Sequence, residues 1–299
     1  MKAIYDVPAP AKLNLFLHIT GRRPDGYHLL QSVFMLIDWC DTLHFELRTD
    51  GQITRADVRP TTDTLPAEDL TVRAAKALQR ACGTTLGAHI SLDKRIPSQA
   101  GMGGGSSDAA SCLLALQRLW NVQLPRQELL AIALSLGADV PFFLSGGNAW
   151  VEGVGELLTP VKLPKADFLV VKPPLGVATP AIFASPALKR DTETATLLGF
   201  ATSDEFGIFE FGRNDLQSTA TQLCPQITQS LDWLSKQKLS GRMTGSGSAV
   251  FAHLQQNVSG IFDASADGVF DTSFEVPSHP DGWMVRKCSN LQNHPLVGW

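Results

Sequence analysis

Between Leu13 and Ile19 apolar and polar positions alternate, so that Leu13, Leu15, Leu17 and Ile19 share one face of a strand while Lys12, Asn14, Phe16 and His18 share the other. Lys12 and Asn14 therefore point the same way. A turn-rich stretch follows, Gly21-Arg22-Arg23-Pro24-Asp25-Gly26-Tyr27-His28. Beyond it, the apolar run Leu29 to Ile37 predicts a second strand and Thr42 to Leu47 a third. Leu70, Ala74, Ala77, Leu78 and Ala81 predict a helix over 69–82, and Ala88, Ile90 and Leu92 restore strand alternation up to Asp93. After a loop from Lys94 to Asp108, the spacing of Ala109, Leu113, Leu116 and Trp120 is helical, and so is 126–136, which ends at Gly137. Further on, Phe168 to Val171 reads as a buried strand, the residues after Asn214 as helical, and Ala249 to Leu254 as a strand. The polar stretch from Lys189 to Glu205 reads as a surface loop, and Gln255 to Pro280, interrupted by Gly260 and Gly268, gives no consistent signal.

Length turns this string of elements into an architecture. A single core stops growing near roughly 250 to 300 residues. The chain has 299, so it is expected to divide into an N-terminal domain over 1–154 and a C-terminal domain over 155–299, with a cleft between them. Charged residues make up 18% and hydrophobic residues 44%, which excludes disorder, collagen-like repeats and coiled coil. A net charge of -4 argues against a nucleic-acid partner, so any anionic ligand must be held by local chemistry. Cys40, Cys82, Cys112, Cys224 and Cys288 are scattered without a C-x-x-C pair and read as reduced core thiols, not as a disulfide frame or a zinc site. No apolar run approaches the ~18 residues of a membrane span, and Met1 to Asp6 lacks a signal-like apolar stretch, so a cytoplasmic location is expected. Oligomeric state and metal ligands are left open.

The loop before the 109–120 helix carries the strongest chemical signal. Gly101, Gly103, Gly104 and Gly105 remove side chains where the backbone must approach something closely, and Ser106 and Ser107 open the helix. A helix start presents free N–H groups and a positive dipole end, which suits phosphate, and Lys94 and Arg95 add positive charge. The loop lacks the Gly-Lys-Ser/Thr of a Walker A motif. It fits the dinucleotide fingerprint poorly, since Ser106 stands at the third glycine position.

Each of the other candidates has two readings. Asp139, in Leu136-Gly137-Ala138-Asp139-Val140-Pro141-Phe142-Phe143, is either the cap of a short helix or a carboxylate tuned by its apolar setting to accept a proton. Lys12 is either an exposed cation at the start of an edge strand or a site residue. Tyr27 and His28 are either surface turn residues or the aromatic and hydrogen-bonding pair that holds a heterocycle. Met243-Thr244-Gly245-Ser246-Gly247-Ser248 is a second glycine-rich turn ahead of a strand, which a strand-entry turn explains equally well.

Taken together in this order, the segments resemble the GHMP kinase superfamily, through three motifs: Pro8 to Leu15, Pro97 to Ala110, and Gly241 to Gly247. Gly21 to His28 and Leu136 to Phe143 bring the resemblance closest to the branch that acts on a cytidyl-diphospho sugar alcohol in the non-mevalonate route to isoprenoid precursors. The resemblance implies an α+β, two-domain GHMP kinase fold with mixed sheets, an ATP and substrate cleft between the domains, and an unusual left-handed crossover. It implies an ATP- and Mg2+-dependent transfer of the γ-phosphoryl group to the 2-hydroxyl of the methylerythritol unit. By position, Asp139 is the base, Lys12 stabilises charge beside it and Asn14 orients the sugar-alcohol end. Lys94, Pro97, Gly101, Met102, Gly103, Gly104, Gly105, Ser106 and Ser107 bind ATP. Tyr27 stacks on cytosine, His28 bonds its polar edge, and Phe183, in the segment starting at Thr179, closes the other face. Asp69 departs from the family, which often has Asn there in contact with adenine. Ser98-Gln99-Ala100 replaces a more glycine-rich loop start, and the tail after His253 matches loosely apart from Asn293-His294-Pro295-Leu296. A homoserine or mevalonate kinase of the same superfamily would have no cytosine for Tyr27 and His28 to hold. A nucleotide sensor without catalysis would have no need of Lys12 and Asp139.

Overall fold

In the computed structural model, residues 1–59, 65–202, 207–254 and 276–299 are described. The first half of the chain forms β1 (Ala3–Arg22), β2 (His28–Arg48), β3 (Ile53–Asp57), α1 (Leu70–Cys82), β4 (Gly87–Asp93), α2 (Gly104–Leu119), α3 (Arg126–Leu136), α4 (Val140–Ser145), β5 (Ala149–Glu152) and β6 (Leu157–Pro160). The second half forms β7 (Asp167–Lys172), α5 (Thr179–Ala184), α6 (Leu197–Ala201), α7 (Gly207–Glu210), α8 (Gln217–Leu223), α9 (Pro225–Lys236), β8 (Gly241–Met243), β9 (Val250–Leu254) and β10 (Met284–Ser289).

The two strands expected over 29–37 and 42–47 are one strand, β2, which is the spine of the first sheet. β1 runs antiparallel along one edge of it, while β4 and β5 share the other edge end to end. β3 lies parallel to β4 and is joined to it through α1, and β6 pairs with β5. The first sheet thus runs to Pro160, past the expected boundary at 154. The second sheet is antiparallel in the order β10-β7-β9-β8.

Local chemistry explains the helix limits. Asp69 caps α1 by accepting from the Val72 N–H at 3.0 Å, and Gly83 closes it in the left-handed conformation at φ 61. α2 begins at Gly104, five residues before the apolar periodicity starts, so Ser106 and Ser107 lie inside its first turn and do not open it. Gly103, at φ 70, supplies the kink and no side-chain cap.

β1 does not have the one wet face that its alternation predicts. Every residue from Ala11 to Ile19 is buried, because β1 passes through three cores in turn. Val7 and Ala9 belong to the core under α1–α4. Ala11, Leu13, Leu15 and Phe16 belong to one shared with Phe168 and Phe251, and Leu17 and Ile19 to one with Val171 and Leu216. A strand buried on both sides is worth roughly 1.5–3 kcal/mol per large side chain, so β1 welds the two domains together. The tail adds a second weld. Leu291 N–H donates to Leu36 O at 2.8 Å, and Leu296 enters the first core.

The polar stretch from Lys189 packs inward as far as it is described, through residue 202. Thr192 and Phe200 are buried, Thr192 Oγ1 donates to Asp215 at 2.7 Å, and Ala195 N–H donates to Gln31 at 2.8 Å. Residues 203–205, and 255–275 of the stretch without a consistent signal, lie outside the described residues.

Candidate active site

The site is organised by the free edge of β1. An unpaired strand edge leaves every second N–H without a partner, and here four of them are taken by three distant segments. Lys12 N–H donates to Met102 O at 2.9 Å, Asn14 N–H to Thr244 Oγ1 at 2.9 Å, Leu17 N–H to Arg213 O at 2.9 Å, and Ile19 N–H to Asp215 Oδ2 at 2.8 Å. The glycine loop, the Met243–Ser248 turn and the 213–215 segment are therefore hung on one strand. Register shifts at Pro10/Lys12 and Asn14/Leu17 bracket Lys12 and Asn14, as bulges that re-aim side chains near a site do.

On this edge Lys12 is buried, with a side chain only 4% exposed, which excludes the reading as a surface cation. A buried ammonium needs compensation. Asn14 Oδ1 accepts from its Nζ at 2.5 Å, Asp139 Oδ2 lies 3.5 Å away, and the Phe34 ring centroid is 4.5 Å from it. Asn14 is held in turn by donating to Ser32 Oγ at 2.9 Å.

Asp139 occupies the N-cap position of α4 but makes no side-chain capping bond, so the cap reading fails too. Pro141, in the first turn, lacks an N–H to offer it. The carboxylate, 31% exposed, faces Lys12 instead.

Lys12, Asn14, Tyr27, His28, Asp139, Thr179 and Phe183, spread over most of the chain, line one open cleft of about 730 Å³. Its far end holds Tyr27, 65% exposed, and His28, whose ring lies 5.0 Å from that of Phe183 at 33°. Phe183 thus packs on His28 itself. Thr179 and Ser246 share a hydroxyl hydrogen bond of 2.7 Å that closes the wall between α5 and the Met243–Ser248 turn.

The glycine loop lines a second cavity of about 390 Å³, with Lys94, Pro97, Gly101, Met102, Gly103, Gly104 and Gly105 among its walls, together with Asp69 and Asp108. The first-turn N–H groups of α2 are uncapped by any side chain and present an anion site. Gly103 in the wall of the loop cavity and Lys12 in the wall of the cleft lie against each other: a Cβ on Gly103 would lie 3.2 Å from Lys12 Cγ and 2.9 Å from the Phe143 ring. Glycine is required there by the Phe143 ring and by its own φ of 70, with the lysine stem close behind.

The glycines divide into two kinds. A Cβ on Gly101 would fall 2.2 Å from Thr244 O, and one on Gly247 2.0 Å from the Ala100 carbonyl carbon. These two glycines let the two loops touch backbone to backbone, an approach sealed by Ser248 N–H donating to Gln99 O at 3.0 Å. Gly105, whose nearest neighbour would be Leu70 at 3.5 Å, is free of such contacts. The Met243–Ser248 turn is a structural partner of the phosphate loop, not merely a strand entry. Asn214 fixes it by donating to Met243 O at 2.8 Å and Gly245 O at 2.9 Å.

Lys94 lines the loop cavity without being a free charge. Its ammonium is held by Asp41 and Asp108, and Arg95 pairs with Asp93 at 2.8 Å. Burial works against the Lys94 ammonium, but the two carboxylates outweigh it and raise its pKa to about 12. Burial pushes the Asp108 carboxyl up; Lys94 pulls it back and Asp41 adds to the rise. Asp41 also accepts from the N–H groups of Arg95 and Ile96, pinning the entry to the loop. Asp69, at the usual Asn position, lines the same cavity with its carboxylate committed to the α1 cap and to Arg55 at 3.1 Å.

Sequence reading missed Asp41, Asn214 and Arg190. An acid inside the apolar run around Trp39 was a usable sign of an internal partner. The others carry no local pattern, since their partners lie far along the chain.

Comparison with known proteins agrees with this geometry. Residues 69–147 match the family model of the GHMP kinases N terminal domain, and residues 205–263 that of the GHMP kinases C terminal domain. The 4-diphosphocytidyl-2-C-methyl-D-erythritol kinase of Polaromonas sp. strain JS666 is 70% identical over 306 residues, covering 100% of this chain and 95% of the relative. A crystal structure of 4-(cytidine 5'-diphospho)-2C-methyl-D-erythritol kinase matches with a TM-score of 0.71 at 36% identity, over 85% of this chain and 90% of that one. Homoserine kinase from Cytophaga hutchinsonii matches at a TM-score of 0.64 and 13% identity, over 98% of this chain and 96% of that one, a likeness of fold alone.

Proposed function

The chain belongs to the 4-diphosphocytidyl-2-C-methyl-D-erythritol kinases, a family of GHMP kinases, and we propose that it moves the γ-phosphoryl group of ATP to the 2-hydroxyl of that cytidyl substrate. The observation that carries this reading is the Lys12–Asp139 pair at 3.5 Å, at the junction of an anion-binding helix start and a cleft that ends in Tyr27 and His28.

Phosphoryl transfer through a loose, metaphosphate-like transition state asks for alignment and charge stabilisation more than for covalent help. The α2 N–H groups and the bare backbone of Gly103 to Gly105 grip the phosphates. The acceptor oxygen attacks the γ-phosphorus, the bond to the β,γ-bridging oxygen breaks, and ADP leaves. The hydroxyl proton passes to Asp139. Lys12, close to that carboxylate and beneath the loop, offsets the negative charge arriving on the transferred group. Asn14, fixed between Lys12 and Ser32, orients the sugar alcohol. At the other end Tyr27 offers a face to cytosine and His28 a hydrogen-bonding edge.

The residues present fit Mg2+ as a companion of ATP. The buried Ser107 hydroxyl has no partner, and Ser106 Oγ would lie 3.9 Å from a Cβ on Gly137, toward the Asp139 segment. These two hydroxyls would hold the ion, which when bound neutralises charge on the phosphates. No helix among the described residues is long and apolar enough to cross a membrane.

Incubation with ATP, Mg2+ and the cytidyl substrate tests the reading, with ADP counted and the product examined by 31P NMR. A new phosphate monoester on the 2-position is expected. ADP no greater than with ATP alone, or a phosphate elsewhere, would overturn it.

A further inference from the structure

Arg190 bonds to a residue of the cleft wall 162 positions away in the chain. Its Nε–H donates to His28 Nε2 at 2.9 Å. Its Nη1 donates to Leu188 O at 2.8 Å, and its Nη2 to Phe183 O at 3.1 Å and Ser185 O at 2.8 Å. All three guanidinium nitrogens therefore face protein, and little of the fork remains for a phosphate. This is the arrangement of an arginine that shapes a site without touching the ligand.

The shaping is specific. An imidazole nitrogen that accepts a hydrogen bond carries no proton, so in the neutral ring the proton must sit on the other nitrogen. Arg190 thus assigns His28 the tautomer with Nδ1–H, making the ring a donor. Burial, followed by the positive charges of Arg190 and Arg22, lowers the His28 pKa and keeps the ring neutral. The same guanidinium holds the Phe183 carbonyl, while the Phe183 ring lies 5.0 Å from that of His28. One cation therefore sets both the proton and the packing of the base-recognition end of the cleft.

We propose that Arg190 is a positioning residue that fixes His28 as a hydrogen-bond donor, so that the cleft selects a heterocycle presenting acceptors, as cytosine does through O2 and N3. The proposal deepens the functional reading above and rests on it. Uracil carries a hydrogen on N3 and loses part of that match.

The test compares wild type with Arg190→Lys, Arg190→Ala, His28→Ala and the double variant His28→Ala/Arg190→Lys. The measurements are kcat, KM for the cytidyl substrate and KM for ATP. In parallel, 15N NMR of the histidines in each protein reads the His28 tautomer directly. Arg190→Lys keeps the charge and guards against a variant that fails to fold. KM for the cytidyl substrate should rise roughly tenfold in Arg190→Lys, the scale of one lost hydrogen bond, with kcat and the KM for ATP nearly unchanged. In the double variant the lysine substitution should add little to the effect of His28→Ala. Wild-type His28 should show a protonated Nδ1 and a bare Nε2, and the Arg190 variants a mixture. A proton on Nε2 in wild type, or KM for both substrates rising together, would overturn the proposal. If wild type ignores the cytidyl substrate, the functional reading falls instead, and the tautomer measurement still decides whether Arg190 governs His28.

Discussion

The glycine-loop cavity and the acceptor cleft adjoin where Gly103 lies against Lys12, yet they are built by different means. One wall of the loop cavity is the bare backbone of the glycine loop, whose position follows from how closely one turn can lie on another, as where Gly101 and Gly247 meet. The cleft is walled by side chains drawn from distant parts of the chain, each aimed by a bulge, a helix end or a buried partner. On the proposed reading the first binds a phosphate chain common to many reactions, while the second decides which alcohol is presented. Damage to the first should therefore act through stability and nucleotide affinity, and damage to the second through turnover and acceptor choice.

The sharpest way to separate them is Asp139→Asn, which keeps the shape and removes the base. Loss of a positioned general base lowers kcat by roughly 10²–10⁴-fold. Since Asp139 does not line the loop cavity, the affinity for ATP should stay within about threefold, measured by calorimetric titration of ATP into the variant. Turnover close to that of wild type would remove Asp139 from the chemistry. A comparable fall in ATP affinity would dissolve the distinction between the two regions.

On the other side, Gly247→Ala should act on folding. The added carbon would lie 2.0 Å from both the Ala100 carbonyl carbon and the Gly101 nitrogen, so the loops must separate. Overpacking of this kind costs about 1–3 kcal/mol, which for a chain this long lowers the melting temperature by several degrees. Nucleotide affinity should fall with it. A variant that melts with wild type while losing ATP would mean that Gly247 faces the ligand instead.

Period-two alternation was enough to set Lys12 and Asn14 side by side, and their hydrogen bond bears that out. The helix expected over 69–82 runs Leu70–Cys82 with Asp69 as its cap, and the one expected over 126–136 is Arg126–Leu136, because periodicity and end signals lie within a few residues of their effect. What the sequence did not disclose depends on contacts between distant residues. The burial of both faces of β1 needs a second domain against it, and the two bulges that aim Lys12 need the register of β2. Lys94 reads as a free cation until Asp41, 53 positions earlier, is folded onto it. Arg190 sits in a polar stretch that resembles surface until its carbonyl partners curl around it. The glycines were visible but not their division of labour, since a glycine looks the same whether backbone or ligand lies opposite.

The buried cluster beneath the loop gives a smaller, pH-dependent effect. Asp108 is raised by burial, with Lys94 opposing the rise and Asp41 adding to it, and its Oδ1 has no partner. In the unfolded chain the same carboxyl ionises near pH 4. Between about pH 4 and pH 8 the folded protein therefore holds a proton that the unfolded chain has released, and stability from this group falls as pH rises. Asp108→Asn keeps the volume and removes the titration. Wild type should lose melting temperature relative to this variant across that window, and parallel curves would show that Asp108 stays ionised throughout.

The mildest substitution tests the comparison most directly, because it lies in the loop yet should leave the fold alone. Gly105 is inside α2, and a Cβ there would meet only Leu70, at 3.5 Å. An alanine in a helix interior gains up to about 1 kcal/mol over glycine, so Gly105→Ala should melt at or slightly above wild type. The same methyl group would stand on the wall of the loop cavity, where backbone and phosphate must approach closely. Its expected signature is a severalfold rise in the KM for ATP with kcat and the KM of the acceptor unchanged. Together with Gly247→Ala it divides the glycines of the two touching turns into those that serve the protein's own packing and those that serve the nucleotide. If Gly105→Ala destabilises the protein and spares ATP, that division is wrong, and the loop is a packing device throughout.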